Sequence, residues 1–364
     1  TQLLHAAQNG LEERLRSLIE LSANVNYTAT DGRTALMLAC QNGHGECVIL
    51  LLDADAMVDL VDDAEWTALA LAAQGGREVC VRVLIEAGAE IDTAVEGGWT
   101  PLMFTAARGH EECSAELIRA GALLDIAQLQ GATALMIASQ NGHEAVIQTL
   151  LRAGASVDVL GPEGSTALMF AARKGHTHCL HVLLEEGAAV DASTTNGATA
   201  LMLAARNGHE DCVNLLLEAG AEAHRAVEDG STALMAATES GHDHCTRALL
   251  AAGVPVDALE SSGQTALMFA ARAGHFECIA SLIGAGATVN RASDDGRTAL
   301  MQACKKGCEV SVRMLIEAGA DCFVSSENGA TALSVVSECG HADCLRLLLS
   351  AGVGVDEAKE GADT

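Results

Sequence analysis

The sequence predicts an all-α solenoid of stacked helix-turn-helix units with short β-hairpin or finger loops between them. Three observations carry this expectation. A threonine recurs every 33 residues without a slip, at Thr34, Thr67, Thr100, Thr133, Thr166, Thr199, Thr232, Thr265, Thr298 and Thr331. Nine of the ten are followed by Ala-Leu, and Thr100 by Pro-Leu. Behind each threonine, apolar residues fall at helical spacing and glycine punctuates them. A fixed period of this length marks one supersecondary unit stacked many times. Each unit buries its apolar face only against its neighbours, so 364 residues read as one elongated domain.

Residues 32–64 show how each element arises. Gly32 permits the positive φ of a tight turn. Thr34 is placed to N-cap a helix carrying Leu36, Met37, Ala39 and Cys40 at helical spacing. Gly43 suits the left-handed exit of that helix. Glu46 falls in the first turn of a second helix, where a negative charge favours the dipole. Cys47, Val48, Leu50, Leu51 and Leu52 form its apolar stripe, and a turn region with Asp59 leads onward.

This arrangement resembles the ankyrin repeat. The motif residues are Asp295-Gly296-Arg297-Thr298-Ala299-Leu300, Ala204-Ala205-Arg206-Asn207-Gly208-His209 and Leu215-Leu216-Leu217-Glu218-Ala219-Gly220-Ala221. Eleven in-phase copies cover the whole chain, the first opening at Thr1 with Gln2 and Leu3. The resemblance implies a gently curved array whose concave side, made of short helices and finger tips, binds other proteins. It implies no catalytic residue. Two departures recur: proline follows the threonine only at Pro101, and methionine replaces the family histidine at Met37, Met103, Met136, Met169, Met202, Met235, Met268 and Met301.

The ends differ. Arg14 stands where internal copies place an apolar residue, and Glu12, Glu13 and Arg16 keep its helix polar. Residues 1–30 are therefore expected to be an N-terminal capping repeat, since terminal repeats need a polar outer face. Residues 31–364 are expected to form ten further repeats. Cys344, Leu345, Leu347, Leu348 and Leu349 keep the internal pattern, and Gly361-Ala362-Asp363-Thr364 reads as the opening of another unit, so the array is expected to continue past Thr364.

With 49 acidic and 21 basic residues, the formal charge is -28. That argues against nucleic acid and anionic membranes, both of which reward positive charge. No window approaches 18 uninterrupted apolar residues, as a transmembrane helix would need. Eight of the 13 cysteines occupy one fixed repeat position, a packing pattern rather than a disulfide framework, so a reducing, cytoplasmic compartment is expected.

His-x-x-Cys occurs at His44/Cys47, His110/Cys113, His176/Cys179, His209/Cys212, His242/Cys245, His275/Cys278 and His341/Cys344. Both residue types bind zinc at such spacing. The favoured reading is structural: the histidine holds the Gly-His loop position, and the cysteine replaces a buried valine or isoleucine. Asp53-x-Asp55 opens like an EF-hand loop but lacks its later ligands and glycine, so Asp53 to Glu65 is expected to be a solvated acidic finger. No cofactor and no metal is expected, nor any enzymatic activity, since no nucleophile elbow or Walker motif is present.

Comparing repeats with one another points to contact positions. The fifth residue from each threonine, on the groove side of the short helix, is aromatic at Phe104, Phe170 and Phe269; inter-repeat packing is the competing role. The eighth and ninth residues gather Arg108, Arg173, Lys174, Arg206, Arg272, Lys305 and Lys306 into a basic stripe, the alternative being a face balanced by acids such as Glu239 and Glu338. Trp66 and Trp99 precede their threonines on neighbouring fingers, and Glu65 and Asp55 stand where most copies have glycine. The expected function is a non-enzymatic scaffold that captures a protein or peptide with acidic residues and an apolar anchor. A structural spacer, or a domain regulating a further region in cis, is the alternative.

Overall fold

The structure, a computed structural model, describes residues 2–352. The expected turn at Gly361–Thr364 lies outside the described residues. Among these, twenty-two α-helices form eleven pairs, from Gln2–Gln8 with Glu12–Glu20 to Ala332–Cys339 with Ala342–Ser350. The chain divides into two compact units, Thr1–Ala171 with His178–Ala189 and Ala172–Thr177 with Val190–Thr364. Within each unit, first helices pack on the first helices of the next repeat and second helices on second helices. Tight turns closed by isolated antiparallel bridges, such as Val95 with Trp99 and Ala292 with Thr298, stand where hairpins were expected.

The threonine performs the capping that its position predicts. In all ten copies its Oγ1 accepts the backbone N–H three residues on, at 3.1–3.4 Å. This satisfies one of the orphan donors of a helix start. Met37 partly replaces the lost imidazole, its Sδ accepting the Thr34 N–H at 3.4 Å. The fixed cysteine position is core: all eight of these thiols are buried. Burial pushes the Cys113 thiol up to about 12 and the Cys245 thiol up to about 11. Both therefore stay protonated at neutral pH, which makes them poor nucleophiles and poor metal ligands.

Three kinds of hydrogen bond tie one repeat to the next. The Gly-His histidine donates through Nε2 to a carbonyl at the end of the preceding short helix: His44 to Gln8, His143 to Ala107 and His275 to Glu239, at 3.1–3.2 Å. A carbonyl only accepts, so this partner assigns the proton to Nε2. Arg77 stands in for the histidine in one repeat and donates through Nε to the Gln41 carbonyl at 3.4 Å. A second bond runs from a backbone N–H to an aspartate or asparagine 31 residues earlier, as Glu90 to Asp59, Ser156 to Asp125 and Met57 to Asn26. The third joins finger tips, as Leu129 N–H to the Gly97 carbonyl at 3.0 Å and Glu327 N–H to the Asp295 carbonyl at 3.0 Å.

In the acidic stretch from Asp53 to Glu65, Asp53, Asp55, Asp59, Asp63 and Glu65 are exposed, as a solvated finger requires, and Asp62 is the exception. Asp59 is one of the cross-repeat acceptors. Asp62 is only 7% exposed; it accepts the N–H groups of Ala64 and Trp66 at 3.0 and 2.9 Å and pairs with Arg33. Asp62 shapes its finger by hydrogen bonding, which composition alone could not reveal.

The glycine exceptions are strained. Asp55 and Glu65 keep the positive φ of the residues they replace, at 64° and 63°. A left-handed residue other than glycine costs roughly 1–2 kcal/mol, partly offset by the unfolded-state freedom glycine adds. Glu65→Gly is expected to stabilise the first unit by about 0.5–1 kcal/mol, read as a higher melting temperature; an unchanged or lower value refutes the strain.

Asp92, which accepts the Leu123 N–H, has its carboxyl pushed above the usual range by burial, against the opposing pull of that bond. A raised folded value means that the stability this group contributes is present at low pH and lost as pH rises through that value. Asp92→Asn keeps the acceptor, as Asn26 and Asn290 do naturally, without burying charge. It is expected to raise the melting temperature at neutral pH, with the gain vanishing in acid where both side chains are neutral; a gain independent of pH would overturn this.

Candidate partner-binding site

In the first unit, the helix Pro101–Arg108 starts at the Thr100 cap. Trp99 precedes the cap and Phe104 is the fourth helical residue, the arrangement of a hydrophobic staple. Their rings stack at 5.3 Å between centroids, 28° apart in plane. Trp66, on the preceding finger and held there by Asp62, stacks on the same Phe104 ring at 4.7 Å and 30°. Phe104 is 8% exposed and joins Ala70 and Val95 in a small core against which both indoles pack. The tryptophans stay half-buried.

These rings line a cleft of ≈ 710 Å³, with Arg108, Gln74 and Asn141 along its polar side. Arg108 is exposed and makes no ion pair among the described residues. Glu96 is also exposed and shares the lining. Four of the residues singled out from sequence, Trp66, Trp99, Phe104 and Arg108, thus meet in one place. Gln74 and Asn141 hold the same eighth and ninth positions as the basic set but are uncharged, so charge does not mark them in the sequence.

Phe170 and Phe269 are 7% and 9% exposed, so packing accounts for most of each ring. Arg173 and Lys174 end the helix Ala167–Lys174 and are exposed. In the second unit Arg206 lines a cleft of ≈ 140 Å³ that also holds Asp229. Lys305 lines another of ≈ 130 Å³ with Arg297 and Glu338. Lys306 is exposed, with its stem over Gly274. Arg272 is engaged within the unit: it pairs with Glu239 at 2.7 Å and lies 4.7 Å from the Phe269 ring centroid.

The His-x-x-Cys residues diverge from one another. The histidine Nε2 atoms described above point at backbone carbonyls, while the cysteines point into the core. Among the described residues, no group of three or more His, Cys, Asp or Glu side chains is arranged to hold a metal ion, and no helix is long and apolar enough to cross a membrane.

No curated protein matches the chain. Among solved structures, the human ASB11 ankyrin repeat domain is similar to it, with 32% identity and a TM-score of 0.55 over 59% of this chain and 97% of that one. The family described as ankyrin repeats, three copies, matches residues 3–95, 93–160, 153–227, 219–293 and 282–359. These matches together run from residue 3 to residue 359, and the chain belongs to the ankyrin-repeat family.

Proposed function

We propose that this chain is a non-enzymatic docking scaffold, and that the cleft of its first unit receives a partner protein or peptide with an apolar anchor and an acidic residue. Ankyrin repeats are generally protein–protein interaction modules, and the fold is typically non-enzymatic. The observation that carries the reading is the half-buried tryptophan pair beside an exposed arginine without an ion pair. Tryptophan and arginine lead among binding hot spots, and in a chain of charge -28 a bare arginine is a local reversal suited to an acidic group. Arg173, Lys174, Arg206, Lys305 and Lys306 are proposed as a separate contact set within the second unit, Arg272 and Phe269 acting as a preformed pair there, and Phe170 as support within the first unit.

The test is comparative affinity purification with residues 1–364 as bait, wild type beside Trp66→Ala/Trp99→Ala and Arg108→Glu. Truncating a hot spot costs about 2 kcal/mol or more, roughly thirtyfold in affinity. A partner recovered with wild type is expected to be lost from the tryptophan variant and depleted with Arg108→Glu. If all three baits recover the same proteins in equal yield, the docking site is wrong.

A further inference from the structure

We infer that the aromatic cleft takes a polyproline II segment, with two prolines three residues apart and an acidic residue beside them; this rests on the docking reading above and specifies its ligand. Three observations lead there. The first is spacing. The indole centroids of Trp66 and Trp99 lie 4.7 and 5.3 Å from the Phe104 ring, so they stand at most about 10 Å apart, a bound that accommodates the about 9.3 Å at which a polyproline II helix repeats its face, three residues of about 3.1 Å each.

The second is the state of the backbone around the cleft. An added strand needs a free edge, but the Gly97 carbonyl already accepts the Leu129 N–H at 3.0 Å and the Val95 N–H already reaches the Trp99 carbonyl at 2.9 Å. β-Augmentation therefore finds the edge beside Trp99 occupied.

The third is the polar lining. The Gln74 side chain makes no internal hydrogen bond among the described residues, and Asn141 commits its amide nitrogen to the Ile137 carbonyl, leaving its oxygen. Amide groups of this kind suit a ligand whose own backbone is unpaired. A polyproline II chain has no internal hydrogen bonds, whereas a helix has satisfied its own. Aromatic-lined grooves take such segments because the preformed helix loses little entropy on docking. Arg108 places the acidic residue on its side of the cleft, and Glu96 on the same lining disfavours acid beside itself.

The chain contains two tryptophans, both in this cleft, so intrinsic fluorescence reports on it directly. A displayed library of random short peptides is selected on residues 1–364, with counter-selection on Trp66→Ala/Trp99→Ala and, as a variant that leaves the aromatic cluster intact, on Arg108→Glu. Enriched peptides are expected to carry Pro-x-x-Pro with a nearby Asp or Glu and to shift the tryptophan emission saturably. Replacing both prolines by alanine is expected to weaken binding about tenfold or more. Peptides that lack this spacing, yet are lost from both variants, would overturn the polyproline assignment and leave the docking site standing. Enrichment equal on wild type and both variants would overturn both.

Discussion

Gly241→Ala is expected to destabilise the second unit by about 2–3 kcal/mol, from two sources that can be separated. Gly241 ends the helix Ala233–Ser240 at φ 80°, where an alanine costs roughly 1–2 kcal/mol. The added Cβ would also stand 2.6 Å from Nδ1 and 2.7 Å from Cε1 of the His275 ring, well inside van der Waals contact. The ring has to move, and its Nε2–H then leaves the Glu239 carbonyl, now 3.2 Å away; losing a hydrogen bond costs about 1 kcal/mol. His275→Ala alone removes that bond but leaves the glycine relaxed. In the double variant the collision is gone, so its total cost falls short of the sum of the single variants by about 1 kcal/mol or more. Hydrogen exchange should place the loss in the repeats on either side of Gly241, because each repeat is stabilised by its neighbours. Additive costs would show that the histidine does not lock over the glycine.

The second large effect is expected at Phe104. Its ring fills the space between two indoles, Ala70 and Val95. Phe104→Ala removes that packing and leaves a void, at about 3–4 kcal/mol. Both indoles lose their stacking partner, so tryptophan emission should move to the red in the folded protein. Phe104→Leu should be mild, since Leu38 and Leu71 occupy the same register and are buried at 9% and 3%. If Phe104→Ala leaves emission and stability unchanged, the aromatic cluster is not a core. The pair of variants also separates roles: a leucine that preserves stability but weakens ligand binding would show that the phenyl ring shapes the cleft beyond filling it.

Much of this was legible because each repeat announces its own caps and stripes. Thr34, Gly43 and the apolar run after Cys47 are local signals, and they became a cap, a left-handed exit and a core. What escaped lay between repeats. Asn26, Asp59, Asp92, Asp125, Asp158, Asp191, Asp257 and Asn290 recur at one register. Their role, accepting an N–H from the next unit, does not show in any single repeat. Read one repeat at a time, they look like solvated charge. The site followed the same rule. Trp66 and Phe104 are 38 residues apart in sequence yet share one stack, and neither position alone signals that meeting. For Arg272 the sequence left open a free basic stripe or a face balanced by acids such as Glu239, and the pair with Glu239, one period earlier, at 2.7 Å decides for the balance at that position.

The cross-repeat hydrogen bonds have a kinetic consequence. The histidine bonds span 36 residues, the aspartate bonds 31 and the finger bonds 32, wherever along the chain they form. Loop-closure entropy depends on the length of the loop, not on its place. The entropic barrier to docking a second repeat on a first is therefore nearly uniform from one end to the other. Folding can nucleate at whichever pair is locally most stable and spread outward. A longer array of the same repeats would raise the number of starting points without raising the barrier at any of them, so its folding rate is set by the best pair and not by the length of the chain.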